Sequence, residues 1–88
     1  MIINDRYRVV KTNNNNFTFE KCSIQRGDKY WKRVGGYYKD SYTAICRLKE
    51  YVLNDVIEDS RFVNDALDKL NELIFNFNKY VSYPVEVN

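Results

Sequence analysis

The sequence predicts an α+β domain in which a three-stranded antiparallel β-sheet meander is followed by two amphipathic helices (βββαα). Over residues 5–34, apolar and polar residues alternate, and turn-forming residues separate the alternating runs. From residue 41 onward, apolar residues instead recur at three- and four-residue spacing. A chain of 88 residues has the size of one domain, so residues 1–88 are expected to form a single unit with its sheet at about 5–34.

The first strand is predicted at residues 5–11. Tyr7 and Val9 alternate there with arginines, as in a strand that buries one face. Four consecutive asparagines follow at residues 13–16. Asparagine tolerates left-handed backbone, so this run predicts the loop of a β-hairpin.

The second strand is predicted at residues 17–24 and the third at 29–34. Phe17 and Phe19 share one face of the second strand, whereas the apolar residues near its end lie on the other face. That change predicts either a β-bulge or a strand covered partly on both sides. Two glycines at residues 35–36 are expected to end the third strand.

The first helix is predicted at residues 41–54, with Asp40 or Ser41 as its N-cap. Its main apolar face predicts burial, and a second apolar stripe on the opposite side indicates that the helix is either sandwiched or in contact with another chain. The main face contains Ala44, Ile45, Leu48, Tyr51 and Val52, and the second stripe contains Tyr42, Cys46 and Leu53.

The second helix is predicted at residues 60–81, capped by Ser60 and packed against the sheet. Pro84 is expected to stop it, because proline has no amide hydrogen and clashes with the preceding turn, so residues 82–88 are predicted to be a tail. The apolar residues at helical spacing are Val63, Ala66, Leu67, Leu70, Leu73, Ile74, Phe77 and Val81.

Charge is unevenly distributed along the chain. Residues 1–40 contain nine Lys or Arg and four Asp or Glu, a balance of +5, and residues 41–88 contain five and eight, a balance of −3. Such an asymmetry can steer association with a charged partner. It can equally bring the two halves together, or draw in a second copy, and the sequence leaves these alternatives open.

Composition excludes most catalytic chemistry. The chain has no histidine, no Cys-x-x-Cys pair and no phosphate-binding glycine loop, so we expect no enzyme activity, no cofactor and no metal. The acidic group of Asp55, Glu58 and Asp59 matches no calcium loop and is expected to be a solvated helix end. Cys22 and Cys46 are expected to be reduced, in a cytoplasmic protein with no signal peptide and no membrane span.

Binding is therefore the expected activity, and several surfaces are candidates. The sheet half mixes aromatic and basic residues, a combination that can stack bases and hold phosphates. The alternative is that the aromatic side chains fill the core while the basic ones are solvated. The residues predicted to contact nucleic acid are Arg6, Arg8, Lys29, Lys32 and Arg33.

For a protein partner, Trp31, Tyr37 and Tyr38 are candidate aromatic anchors, and one of the two adjacent tyrosines is expected to close the core. On the helices, Phe75 projects among polar residues, away from the main apolar face. We expect a protein–protein surface here, including self-association as a homodimer. The predicted partner-binding residues on the helices are Phe75, Tyr42, Leu53, Asp65, Asp68 and Glu72.

The layout of residues 5–81 resembles small accessory proteins of phages and prophages. The residues that carry the resemblance are Tyr7-x-Val9, Phe17-x-Phe19, Trp31 and Gly36-Tyr37-Tyr38, followed by Ala44 and Leu48. The resemblance implies a bacterial host cell and a non-enzymatic protein that binds and blocks a host protein, such as an anti-CRISPR or other anti-defence inhibitor of a nuclease. It implies no role for an individual residue, and a nucleic-acid-binding accessory protein is the alternative.

Overall fold

In a computed structural model of the protein, the backbone of residues 1–86 and the side chains of residues 1–78 are described. The strands form one antiparallel sheet in the order β1-β2-β3, so the predicted βββαα arrangement is confirmed. The elements are β1 (Tyr7–Lys11), β2 (Phe17–Gln25), β3 (Asp28–Arg33), α1 (Ser41–Leu53) and α2 (Ser60–Glu86).

The β1–β2 hairpin forms as the sequence pattern predicts. Tyr7 and Val9 are buried on the face that the helices cover. In the loop, the amide of Thr12 donates to the carbonyl of Asn16 at 2.8 Å, and Asn15 has a φ of 62°. Asparagine is one of the few residues that adopt this left-handed conformation at small cost, which accounts for the asparagine run.

β2 is covered on both sides and contains no bulge. Its residues pair one to one with β1 from Phe17 to Lys21 and with β3 from Glu20 to Gln25. Phe19 on the helix-covered face and Cys22 on the outer face are both buried. Of the two alternatives predicted for this strand, two-sided cover is therefore confirmed.

The chain leaves β3 through a close contact that requires glycine. A Cβ atom added at Gly35 would lie 2.5 Å from the ring of Phe19, which is itself buried. Tyr38 stacks on the other side chain of this contact, the Phe19 ring, with 5.9 Å between the ring centroids and 3° between the ring planes. Half-buried Tyr38 thus packs against this end of the core, whereas Tyr37 is exposed, so only one of the two adjacent tyrosines contacts the core.

α1, rather than α2, is the helix that covers the sheet. It contacts β1 and β2 and also packs against α2, so the predicted packing of α2 on the sheet is wrong. Three strands about 4.8 Å apart are no wider from axis to axis than one helix, whose diameter is about 10 Å, which leaves α2 to pack on α1. The second stripe of α1 is explained in part by this arrangement, since the ring of Tyr42 lies 5.0 Å from that of Phe77.

Both helix starts are capped by aspartate. Asp40 caps α1, as predicted, and accepts a hydrogen bond from the amide of Thr43 at 2.7 Å. Before α2, Asp59 replaces the predicted Ser60 as the cap and accepts from the amide of Arg61 at 2.8 Å. Each aspartate thus satisfies an amide that the first turn of a helix leaves unpaired.

α2 is longer than predicted. It continues to Glu86, so the predicted end at residue 81 and the predicted tail are wrong for residues 82–86. Pro84 can donate no amide hydrogen, but in the final turn this costs one hydrogen bond and leaves the preceding turns paired. Residues 87–88 and the side chains of Lys79 and Val81 lie outside the described part of the chain.

The core is one cluster shared by the sheet, α1 and the first half of α2. Its fully buried side chains include Tyr7, Leu48, Val52 and Leu70. Cys22 and Cys46 are both free thiols, as expected. Within the described residues, neither helix has a stretch both long and apolar enough to cross a membrane.

Candidate functional site

Four oppositely charged side chains meet where the sheet half contacts the α1–α2 connection. Arg6 Nε lies 3.0 Å from Glu58 Oε1, and Lys21 Nζ lies 2.7 Å from Asp55 Oδ2 and 3.3 Å from Glu58 Oε2. All four side chains are largely buried, with exposed fractions between 3% for Asp55 and 17% for Arg6. We call Arg6, Lys21, Asp55 and Glu58 the inner cluster; it joins the basic and acidic halves of the chain.

Neutral polar groups complete the inner cluster. The hydroxyl of Tyr7 donates to Asp55 Oδ2 at 2.8 Å. The guanidinium of Arg6 lies 4.3 Å from the ring centroid of Phe62, at the start of α2. Buried Asn4 donates to the carbonyl of Phe62 and accepts from the amides of Arg6 and Tyr7, so one amide side chain links the N-terminal segment to α2.

Lys21 and Asp55 of the inner cluster, and Tyr7 beside it, are held in their ordinary protonation states at neutral pH. Burial, and then the hydrogen bond to Asp55, raise the pKa of Tyr7 above its usual value. Burial alone would lower the pKa of Lys21, but the hydrogen bonds to Asp55 and Glu58 outweigh it and the pKa is raised. Burial alone would raise the pKa of Asp55, but the hydrogen bonds from Lys21 and Tyr7 lower it.

These shifts do not suit the cluster to catalysis. A lysine or tyrosine nucleophile needs a pKa moved toward neutrality, and both groups move away from it. Within the described residues, no three Cys, Asp or Glu side chains are arranged to hold a metal ion. Asp55 and Glu58 are buried ion-pair partners, so the prediction that they form a solvated helix end is wrong; Asp59, which is exposed, is the helix cap.

A groove of about 370 Å³ opens above the inner cluster, between the β2–β3 hairpin and the α1–α2 connection. Arg6, Lys21 and Glu58 line its charged side. Ile24 and Tyr30 line it from the hairpin, and Ile57 lines it from the connection. The groove therefore combines neutralised charges with both apolar and polar side chains, since Ser23 and Gln25 also line it.

The most exposed apolar side chains in the described part of the chain are in the α1–α2 connection, where Ile57 lines this groove and Val56 precedes it in the chain. Val56 is 92% exposed and Ile57 is 89% exposed. They lie between Asp55 and Glu58, whose ion pairs fix the connection to the sheet. We call Ile24, Tyr30, Val56 and Ile57 the apolar rim.

The outer face of the sheet carries a second arginine site. The guanidinium of Arg8 lies 4.4 Å from the ring centroid of Trp31, and its Nη2 atom lies 2.6 Å from Glu20 Oε1. We call Arg8, Glu20 and Trp31 the outer stack. It spans from β1 to β3 across β2, on the same face of the sheet as buried Cys22, which pairs with Trp31.

The residues predicted to bind nucleic acid do not share one surface. Arg6 belongs to the inner cluster and Arg8 to the outer stack, so glutamates neutralise both. The β2–β3 register places Lys29 and Arg33 on the outer face and Lys32 on the opposite face. The guanidinium of Arg33 also lies over the ring of Tyr37 at 4.8 Å.

The predicted partner-binding residues are likewise dispersed. Phe75 is 67% exposed and Leu53 is 59% exposed, whereas Tyr42 is half-buried and donates to Asn78 Oδ1 at 3.1 Å. Trp31 is half-buried beneath Arg8. The acidic residues Asp65, Asp68 and Glu72 are exposed along α2, with Asp65 paired to Lys69.

Sequence reasoning missed the apolar rim as a site. A signal was present: Val56 and Ile57 are β-branched apolar residues in a short connection that is otherwise polar. Ile24 and Tyr30 could not have been added to them from sequence, because the contact of the hairpin with the connection depends on the docking of α1. Comparison with protein-family models, curated proteins and solved structures finds no match for this α+β domain.

Proposed function

We propose that this is a non-enzymatic protein that binds another protein through the apolar rim. One observation carries the proposal: Val56 and Ile57 are almost fully exposed on a connection that buried ion pairs hold in place. Exposed apolar side chains on a fixed loop lose little conformational freedom when they bind, so they suit the centre of a protein interface.

The resemblance to phage accessory proteins suggests the class of partner. We propose that the partner is a host protein, and that binding blocks its surface sterically in the manner of an anti-CRISPR or other anti-defence inhibitor.

Capture from a lysate of host bacteria tests this proposal. Tagged wild-type protein is compared with the double variant Val56→Asp/Ile57→Asp, and retained proteins are identified by mass spectrometry. We expect retention of a specific protein to fall about tenfold or more in the double variant, since central apolar anchors dominate binding energy. For a captured nuclease, the wild type should inhibit cleavage and the double variant should not.

Phe75→Asp is the matched control, because Phe75 is also an exposed apolar residue but lies on α2. It should leave capture unchanged. Loss of the partner in Phe75→Asp with retention in the double variant would move the binding surface to α2. Light scattering of wild type and Phe75→Asp addresses the homodimer: two monomers would show that Phe75 does not drive self-association.

The alternative is a nucleic-acid-binding accessory protein that uses the basic sheet face. On the outer face of the sheet, Arg8 is paired with Glu20, which leaves Lys29 and Arg33 to contact phosphates. Such binding should weaken steeply as salt rises, because it releases counterions from the phosphates. Gel-shift measurements with single-stranded and duplex DNA test it, and no shift at low salt would contradict it.

A further inference from the structure

The two outer edges of the sheet differ in whether they are paired. Along β1, the amide of Val9 donates to the carbonyl of Met1 at 2.9 Å, and Ile2 forms a bridge with Arg8. Among the described residues, no strand pairs with the outer edge of β3. No residue of β3 is fully buried, so this edge is open to solvent.

The register shows which backbone groups the open edge presents. The amide of Val34 donates to the carbonyl of Phe19, and Lys32 lies opposite Lys21. In an antiparallel ladder the N–H and C=O groups of alternate residues point to the same side. The even-numbered residues of β3 therefore face β2, and the amides and carbonyls of Lys29, Trp31 and Arg33 point outward.

We propose that an extended segment of the partner protein, with acidic side chains at alternate positions, pairs with β3 as an added strand. The inference rests on the proposed function and names how the partner is held. Main-chain hydrogen bonds to the outward groups would supply affinity. Carboxylates on the outer face would lie opposite Lys29 and Arg33, and apolar side chains on the other face would approach Tyr30 and the groove.

Charge complementarity selects this occupant over a second copy of the chain. β3 carries the cations Lys29, Lys32 and Arg33 and the single carboxylate of Asp28. Two β3 strands edge to edge would bring six cations together with two carboxylates. Lysines on an edge strand are a common means of preventing such self-pairing, and they attract an acidic strand for the same reason.

Nuclear magnetic resonance with a defined probe tests the proposal. Isotope-labelled protein is titrated with a capped hexapeptide of alternating Glu and Val, and with a Lys–Val peptide of equal length as control. The Glu–Val peptide should shift the amides of Lys29, Trp31 and Arg33 and slow their hydrogen exchange. The amides of Tyr30 and Lys32, which already face β2, should change less.

Variants of the edge separate charge from backbone pairing. Lys29→Glu/Arg33→Glu should weaken binding of the Glu–Val peptide by about fivefold or more, whereas Lys69→Glu on α2 should not. Lys29→Pro removes one outward amide and should abolish the protection of Trp31; edge strands tolerate proline where the amide faces solvent.

Three results would overturn the inference: no shift at millimolar peptide, equal binding of the two peptides, or protection of Trp31 that rises with protein concentration alone, which would indicate a second copy. If the Val56→Asp/Ile57→Asp variant loses the captured partner but the Glu–Val peptide causes no change at β3, the inference fails and the proposed function stands. A response at β3 with a partner still retained by that variant would count against the proposed function alone.

Discussion

Arg6 and Arg8 stand two positions apart in the chain, and each lies over an aromatic ring and pairs with a glutamate. Arg6 reaches Glu58, 52 residues away, and joins the N-terminal segment to the α1–α2 connection. Arg8 reaches Glu20, 12 residues away, and joins adjacent strands of one hairpin. The same combination of arginine, glutamate and aromatic ring therefore has two roles. In the inner cluster it joins separate parts of the fold, and in the outer stack it covers one face of the sheet.

Lys21→Ala should have the largest effect on stability, because it leaves Asp55, 3% exposed, without its cation. We expect a loss of about 3 kcal/mol in the free energy of unfolding, as for breaking a buried ion pair from one side. Urea unfolding measures it. Lys69→Ala is the control, since its pair with Asp65 is exposed and should contribute less than about 0.5 kcal/mol. Equal losses in the two variants would contradict the comparison.

Arg6→Ala and Arg8→Ala compare the two sites directly. Arg6→Ala removes a largely buried ion pair that links distant segments and should cost about 2 kcal/mol. Arg8→Ala removes a half-buried pair and a cation–π contact within the sheet and should cost about 1 kcal/mol or less. Both are measured by urea unfolding, and a larger loss for Arg8→Ala would reverse the assignment.

The pH dependence of stability should follow the inner cluster. The pKa of Asp55 is lower in the folded protein, so its contribution is present above about pH 4 and is lost as the pH falls below that. The pKa values of Tyr7 and Lys21 are raised, so their contributions are present below about pH 10 and are lost as the pH rises further.

The urea midpoint measured against pH checks this prediction. Asp55→Asn should flatten the acid limb, because the side chain at this position no longer titrates. Identical curves for Asp55→Asn and wild type would show that another group causes the acid loss.

The smallest effect on the free energy of unfolding should be a local one, at the Cys22 thiol, which lies on the same face of the sheet as the outer stack. Cys22 is 4% exposed, and we expect Arg8→Ala to speed its modification by a thiol reagent through local opening. The measurement uses a Cys46→Ser background, so that one thiol reacts. Arg6→Ala in the same background is the control, and an equal acceleration there would mean that global unfolding exposes Cys22.

Local patterns in the sequence predict most of the secondary structure. The alternation around Tyr7 and Val9, the glycines after β3 and the cap at Asp40 depend on neighbouring residues, so they are readable along the chain. The extension of α2 past Pro84 cannot be predicted in this way, because a proline in the final turn of a helix and a proline that ends a helix give the same local sequence pattern.

The candidate site is less predictable because its contacts join distant residues. Lys21 and Asp55 are 34 positions apart, and their pairing depends on how β2 and the end of α1 dock. The uneven charge distribution indicated that the halves could attract each other, but it could not identify the pairs. The apolar rim depends on the same docking, so exposed Val56 and Ile57 acquire a binding surface around them only in the folded protein.

The turn between β2 and β3 has a consequence for the kinetics of folding. Arg26 and Gly27 have φ values of 52° and 84°, and the left-handed region costs arginine more than it costs asparagine. If this hairpin forms before α1 docks, Arg26→Asn should speed refolding and leave the unfolding rate nearly unchanged. Stopped-flow mixing would show the order of assembly, and slower unfolding with an unchanged refolding rate would place the turn late on the pathway.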